Sequence, residues 1–133
     1  MNYLLDTNII SDLIRNPQGP VARHIASIGE TDICTSIVVA AELRYGGAKS
    51  GSTRLIKRIN LILSAIEILP LTSPVDQEHA HLRHLLAQQG NLIGPNDLLI
   101  AAHALSEHLT VVTANTREFS RVPKLSLENW LEA

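Results

Sequence analysis

One cysteine, Cys34, is all that the 133-residue chain carries. No disulfide can close within it, and a cysteine-based zinc centre is excluded with it, which points to a reducing cytoplasm. Aromatic residues are almost as scarce, at 3% of the chain. Proteins that stack unpaired bases on aromatic platforms are therefore a poor match, and a nucleic acid partner has to be held mainly through its phosphates. No apolar run approaches the ~18 residues of a membrane span, and no basic leader with an apolar core opens the chain, so a soluble protein without a membrane partner is expected. No G-x-G-x-x-G follows the first apolar segment, which removes the dinucleotide-binding fingerprint.

What is present suits one globular domain over residues 1–133. Hydrophobic residues make up 45%, and a chain of this length buries about two thirds of its unfolded surface. Glycine and proline are scattered as turn punctuation, and no repeat or low-complexity segment divides the sequence. The formal charge of -2 hides a local bias. Arg44, Lys49, Arg54, Lys57 and Arg58 lie in a stretch with no acid between them, by default a solvated face and a candidate RNA contact.

Strands are predicted at Tyr3 to Asp6, Asp32 to Ser36, Glu67 to Leu71, Thr110 to Thr113 and Leu125 to Leu127. Helical spacing fills the intervals at Asn8 to Arg15, Pro20 to Ile28, Ile37 to Lys49, Ser52 to Ala65, Pro74 to Gln89 and Pro95 to His108. Ser73 reads as an N-cap with Pro74 at the first helical position, and Gly90 as a helix stop. The alternation predicts an α/β fold with a mostly parallel sheet of about five strands, covered on both faces.

In such a fold strand C-termini and helix N-termini share one rim. Asp6 ends the first strand, Asp97 lies in the first turn of the helix opened by Gly94-Pro95, and Asn115 follows the fourth strand. Glu42 lies about 9 Å into its helix, within reach of the same rim for a long side chain leaning toward the N-terminus. Its helical neighbours Val38, Val39, Tyr45 and Gly46 suggest a dry face, as do Ile100 and Ala101 beside Asp97. Inward-facing acids need partners, and gathering Asp6, Glu42 and Asp97 raises their proton affinity unless a cation is present. Oxygen ligands favour Mg²⁺ or Mn²⁺, and two carboxylates with a hydrated cation are the layout for phosphodiester hydrolysis.

Each acid also has a plainer reading, Asp6 as a cap, Asp97 as a first-turn acid that suits the helix dipole and Glu42 as a solvated helix residue. Their shared rim favours the site. His79, His81 and His84 cluster on one helix but lack a matching ligand set and read as surface residues, whereas His103 in AAHAL reads as a hydrogen-bonded core histidine. Arg117 and Arg121 lie near the rim.

The blocks YLLDTNIISDLIR, SIVVAAELRYGGAKS, IGPNDLLIAAHAL and VVTANTREFSRVPKLSLENW, in this order, resemble the VapC-type toxins of the PIN-domain ribonuclease family across nearly the whole chain. The resemblance implies a PIN-like three-layer sandwich and a Mg²⁺- or Mn²⁺-dependent endoribonuclease. It places the acidic set at Asp6, Glu42 and Asp97, with Asp6 and Asp97 as metal ligands. The fourth position is Asn115 where many relatives carry Asp, which leaves Asn115 or Glu118 to take that role. A homodimer, a VapB-type antitoxin over the acidic pocket and cleavage of initiator tRNA in its anticodon stem-loop are also implied. The competing reading is a non-catalytic RNA-binding or scaffolding PIN-like domain. A phosphotransferase of the haloacid-dehalogenase kind would need a second Asp where Asn8 stands.

Overall fold

The computed structural model describes residues 1–131. Apolar strand segments form β1 (Tyr3–Leu5), β2 (Ile33–Ser36), β3 (Glu67–Leu69), β4 (Thr110–Val112) and β5 (Leu127–Glu128). Between them lie α1 (Thr7–Arg15), α2 (Pro20–Ile28), α3 (Ile37–Ser50), α4 (Thr53–Ala65), α5 (Val75–Gln88), α6 (Pro95–Glu107) and α7 (Thr116–Phe119). The strands pair in parallel in the order β3-β2-β1-β4-β5. Tyr3 stands opposite Ile33 on one side and Thr110 on the other.

The chain therefore moves from β1 through β2 to β3, then returns to the far side of β1 for β4 and β5. Right-handed crossovers put the helices of the two excursions on opposite faces of the sheet. Consistent with this, α1 packs on α3 and α4, while α5 pairs with α6. The direction of travel reverses between β1 and β4, and the crevice beyond the strand ends at such a reversal is where open α/β sheets bind ligands. The fully buried Leu4, Leu5, Ile9, Ile10, Ile100, Val111, Val112 and Phe119 fill the layers on either side.

Two local expectations need correction, and one short helix went unforeseen. Pro74 is the N-cap of α5, with Val75 its first residue. The Val75 N–H bonds the Thr72 carbonyl at 2.9 Å, so the chain turns once more before the helix begins and Ser73 supplies no cap. The last strand falls at Leu127–Glu128, beyond Leu125 to Leu127, because its register is set by Val111 and Val112 of the neighbouring β4. The four-residue α7 has one buried apolar residue, Phe119, too little to show a helical period. Gly90 does close α5, at φ 67°, in the left-handed region that glycine tolerates best.

Candidate active site

Asp6 is the N-cap of α1 and only 4% exposed. Its Oδ1 accepts from the Thr7 N–H and its Oδ2 from Thr113 Oγ1, both at 2.8 Å. Burial pushes its carboxyl above the ordinary aspartate range, the two hydrogen bonds pull it back, and the charges of Glu42 and Glu118 raise it further. Cap and inward-facing acid are thus one residue. Each oxygen receives one bond, and a carboxylate has about four lone-pair sites, so ligand capacity remains.

Glu42 reaches the same place from the second turn of α3. Its Oε1 accepts from Thr7 Oγ1 at 2.7 Å and its Oε2 from Asn96 Nδ2 at 3.4 Å. The face around it is only partly dry. Val39 is buried and Val38 half-buried, but Tyr45 is 68% exposed and Gly46 is exposed too, because the buried stripe of α3 runs through Val39, Ala40, Leu43 and Gly47. Asp97 does sit above a closed layer, with Ile100 and Ala101 inaccessible. Burial first, then the charges of Asp6, Glu118 and Glu42 and a hydrogen bond to Glu118, push its carboxyl up to about 7.

Asn115 Nδ2 donates to Glu118 Oε2 at 2.7 Å and more weakly to Asp97 Oδ2 at 3.4 Å. Glu118 Oε1 accepts from the Gly94 N–H at 2.6 Å, the main cause of its lowered pKa, with Asn115, Asp97 and Arg121 adding to it. Both Glu118 oxygens are therefore engaged in bracing Asn115 and the start of α6. Asp6, Thr7, Asn8, Ser11, Arg15, Glu42, Asp97 and Asn115 line one cleft of about 380 Å³, which brings together all four residues singled out in the sequence.

Thr7, Asn8 and Thr113 are the residues that sequence reasoning missed. Thr113 Oγ1 accepts from the Asn115 N–H while donating to Asp6, and Asn8 Oδ1 accepts from the Ala114 N–H at 2.9 Å. The available signal was a polar side chain directly after each apolar strand, Thr7 and Asn8 behind Asp6 and Thr113 behind Val112. Elsewhere the surface reading holds for His81 and His84 and only in part for His79, which is half-buried. His81 and His84 are exposed, and the buried His103 Nδ1 lies 2.8 Å from Ser36 Oγ.

Among the described residues no three or more His, Cys, Asp or Glu side chains converge tightly enough to enclose a metal ion by themselves. Asp6 and Asp97, two carboxyls of raised pKa lining one cleft, suit instead a hydrated divalent cation that keeps most of its waters. Mg²⁺ is commonly held through one or two carboxylates.

A family model of the PIN domain matches residues 3–125. The chain belongs to the PIN-domain family of VapC ribonucleases. Ribonuclease VapC2 of Haemophilus influenzae is 41% identical, with 98% of this chain and 99% of that protein covered. The tRNA(fMet)-specific endonuclease VapC of Shigella flexneri is 37% identical, covering 98% of each. The solved structure of VapBC2 from Rickettsia felis bound to a promoter DNA fragment superposes with a TM-score of 0.88 at 38% identity, over 98% of this chain and 99% of that one. The PIN fold and the VapC affiliation expected from the four sequence blocks are both borne out. Among the described residues no helix is long and apolar enough to cross a membrane.

Proposed function

We propose that this chain is the toxin of a VapBC-type toxin-antitoxin pair and hydrolyses RNA phosphodiester bonds with Mg²⁺ or Mn²⁺. The observation that carries the reading is the convergence of Asp6, Glu42 and Asp97 on one cleft at the switch point of the sheet. Asp6 and Asp97 hold the cation. When bound, the cation supplies neutralisation of phosphate charge and a lowered water pKa. Glu42, held by Thr7, orients the attacking water and accepts its proton. Asn115, held by Glu118, turns its Nδ2 toward a phosphate oxygen. Attack by water leaves 5′-phosphate and 3′-hydroxyl ends.

The Shigella flexneri relative acts on tRNA(fMet), which supports initiator tRNA as the substrate; the family resemblance alone puts the cut in its anticodon stem-loop. The Rickettsia felis neighbour is a VapBC assembly, which supports a VapB-type antitoxin partner, and we extend the assignment to a homodimer. RNA cleavage with Mg²⁺ or Mn²⁺ by the native protein and by Asp6→Asn tests the enzyme. Cleavage is expected from the native protein alone. Equal activity in both, or none in either, overturns it, and a 2′,3′-cyclic phosphate product overturns water as the nucleophile. Asn115 in place of a fourth carboxylate favours one rival, a non-catalytic RNA-binding domain, which predicts RNA binding without cleavage.

A further inference from the structure

Beside the acidic cleft runs a second depression of about 270 Å³, between α1, α3 and α4. The two share Thr7, Ser11, Arg15 and Glu42 as a common wall. Its floor is aliphatic, built by Ile14, Leu43, Leu55 and Ile59. A ligand that spans both would set an anionic group against Arg15 and the hydroxyls of Thr7 and Ser11, and an apolar face against the aliphatic floor.

Arg15 is the only cationic side chain lining either depression among the described residues. Arg23, Arg44 and Arg121 each donate to a protein oxygen, whereas Arg54, Arg58, Arg83 and Arg117 do not among the described residues and line neither depression. Arg15 is exposed and has no such partner among the described residues, although Asp6, Glu42 and Asp97 line the same cleft. Its five donors are left free for a phosphate, which matches their fork geometry.

Gly46 supplies the second observation. It lies inside α3, where glycine costs roughly 1 kcal/mol relative to alanine. A Cβ built on it meets nothing within 4 Å, so packing does not demand the missing side chain. Its neighbour Gly47 differs, because there a Cβ would lie 3.0 Å from Ile59 Cδ1. Gly46 lines the groove, and its lack of a side chain keeps that space open.

Resting on the ribonuclease reading above, we propose that this groove is a nucleotide subsite of the RNA substrate. It seats the base and sugar next to the scissile phosphate, with Arg15 paired to the adjoining phosphate and Gly46 leaving room for the base. A base lying on aliphatic side chains gains no aromatic stacking, so the phosphate contact carries much of the affinity.

The test uses Gly46→Ala, Gly46→Leu, Arg15→Lys and Arg15→Gln in the full chain. RNA binding is measured by anisotropy over a salt series with Ca²⁺ replacing Mg²⁺, and cleavage kinetics with Mg²⁺. Affinity is expected to fall in proportion to side-chain size at position 46, by about tenfold for leucine, while the melting temperature holds or rises because alanine and leucine are better helix formers. Arg15→Gln is expected to weaken binding and lower the slope of log affinity against log salt by about 0.7 to 1, with Arg15→Lys keeping the slope. In cleavage the loss falls on KM more than on kcat.

Native-like RNA affinity in Gly46→Leu overturns the subsite, as does an Arg15→Gln salt slope equal to the native one. Native-like RNA affinity in Gly46→Leu together with lost binding of an antitoxin-derived peptide assigns the groove to the peptide instead and equally overturns it. Because affinity is read without turnover, failure of the native protein to cleave counts against the ribonuclease reading and leaves the subsite result legible.

Discussion

Thr113 Oγ1 donates to Asp6 Oδ2 at 2.8 Å and bridges 107 positions of sequence. Thr113 is fully buried and Asp6 nearly so, so this hydroxyl sets both the orientation and the proton affinity of the acid at the end of β1. The same oxygen accepts from the Asn115 N–H, and one side chain thereby holds residues on both sides of the switch point.

Thr113→Val keeps the shape and removes the hydroxyl. A buried carboxylate oxygen then loses its donor, which costs about 1–3 kcal/mol. Urea unfolding is expected to show that loss, and RNA cleavage to fall by at least about tenfold. Thr113→Ser, which restores the donor, is expected to recover most of both.

The Asp97 carboxyl predicts a pH dependence of the cation-free protein. It ionises at about 7 in the fold against an ordinary 3.8, so the fold binds this proton more tightly than the unfolded chain does. The resulting stabilisation is complete below about pH 4 and is lost as pH rises toward 7. Asp97→Asn removes the titration. Thermal unfolding in a chelator is expected to show the variant gaining on the native protein between about pH 4 and pH 7, by on the order of 1 kcal/mol once solvent screening of this half-exposed group is allowed for.

A divalent cation held by Asp6 and Asp97, as proposed, would bind the fold and not the unfolded chain and so would raise the melting temperature by mass action. Millimolar Mg²⁺ is expected to stabilise the native protein above about pH 7, where Asp97 is ionised, and to do so much less at about pH 5. In Asp6→Asn the shift is expected to disappear. Equal shifts in both proteins would place the ion elsewhere.

His103 is fully buried, with its Nδ1 2.8 Å from Ser36 Oγ. Burial lowers its pKa below the ordinary 6.5, so folding favours the neutral ring. That contribution is present above about pH 6.5 and is lost as the pH falls below it. His103→Leu is expected to flatten the acid limb of the stability profile. It also removes the partner of Ser36 Oγ, the N-cap of α3, at a cost of about 1 kcal/mol at neutral pH, read by urea unfolding.

The sequence by itself determined the alternation of strands and helices, the single parallel sheet and the rim on which Asp6, Glu42, Asp97 and Asn115 meet. Those properties follow from apolar periodicity and from the rule that parallel strands and their following helices open at one edge. Tertiary structure decided what surrounds the acids. The hydrogen bonds of Thr7 to Glu42, Thr113 to Asp6 and Gly94 to Glu118 join residues distant in sequence, and hydrophobic spacing records only which way a residue points. The place of β5 was set likewise, by pairing with β4, whereas the start of α5 was set by a local turn at Thr72. Local pattern carries burial, whereas partners and register are fixed only when the layers close on each other.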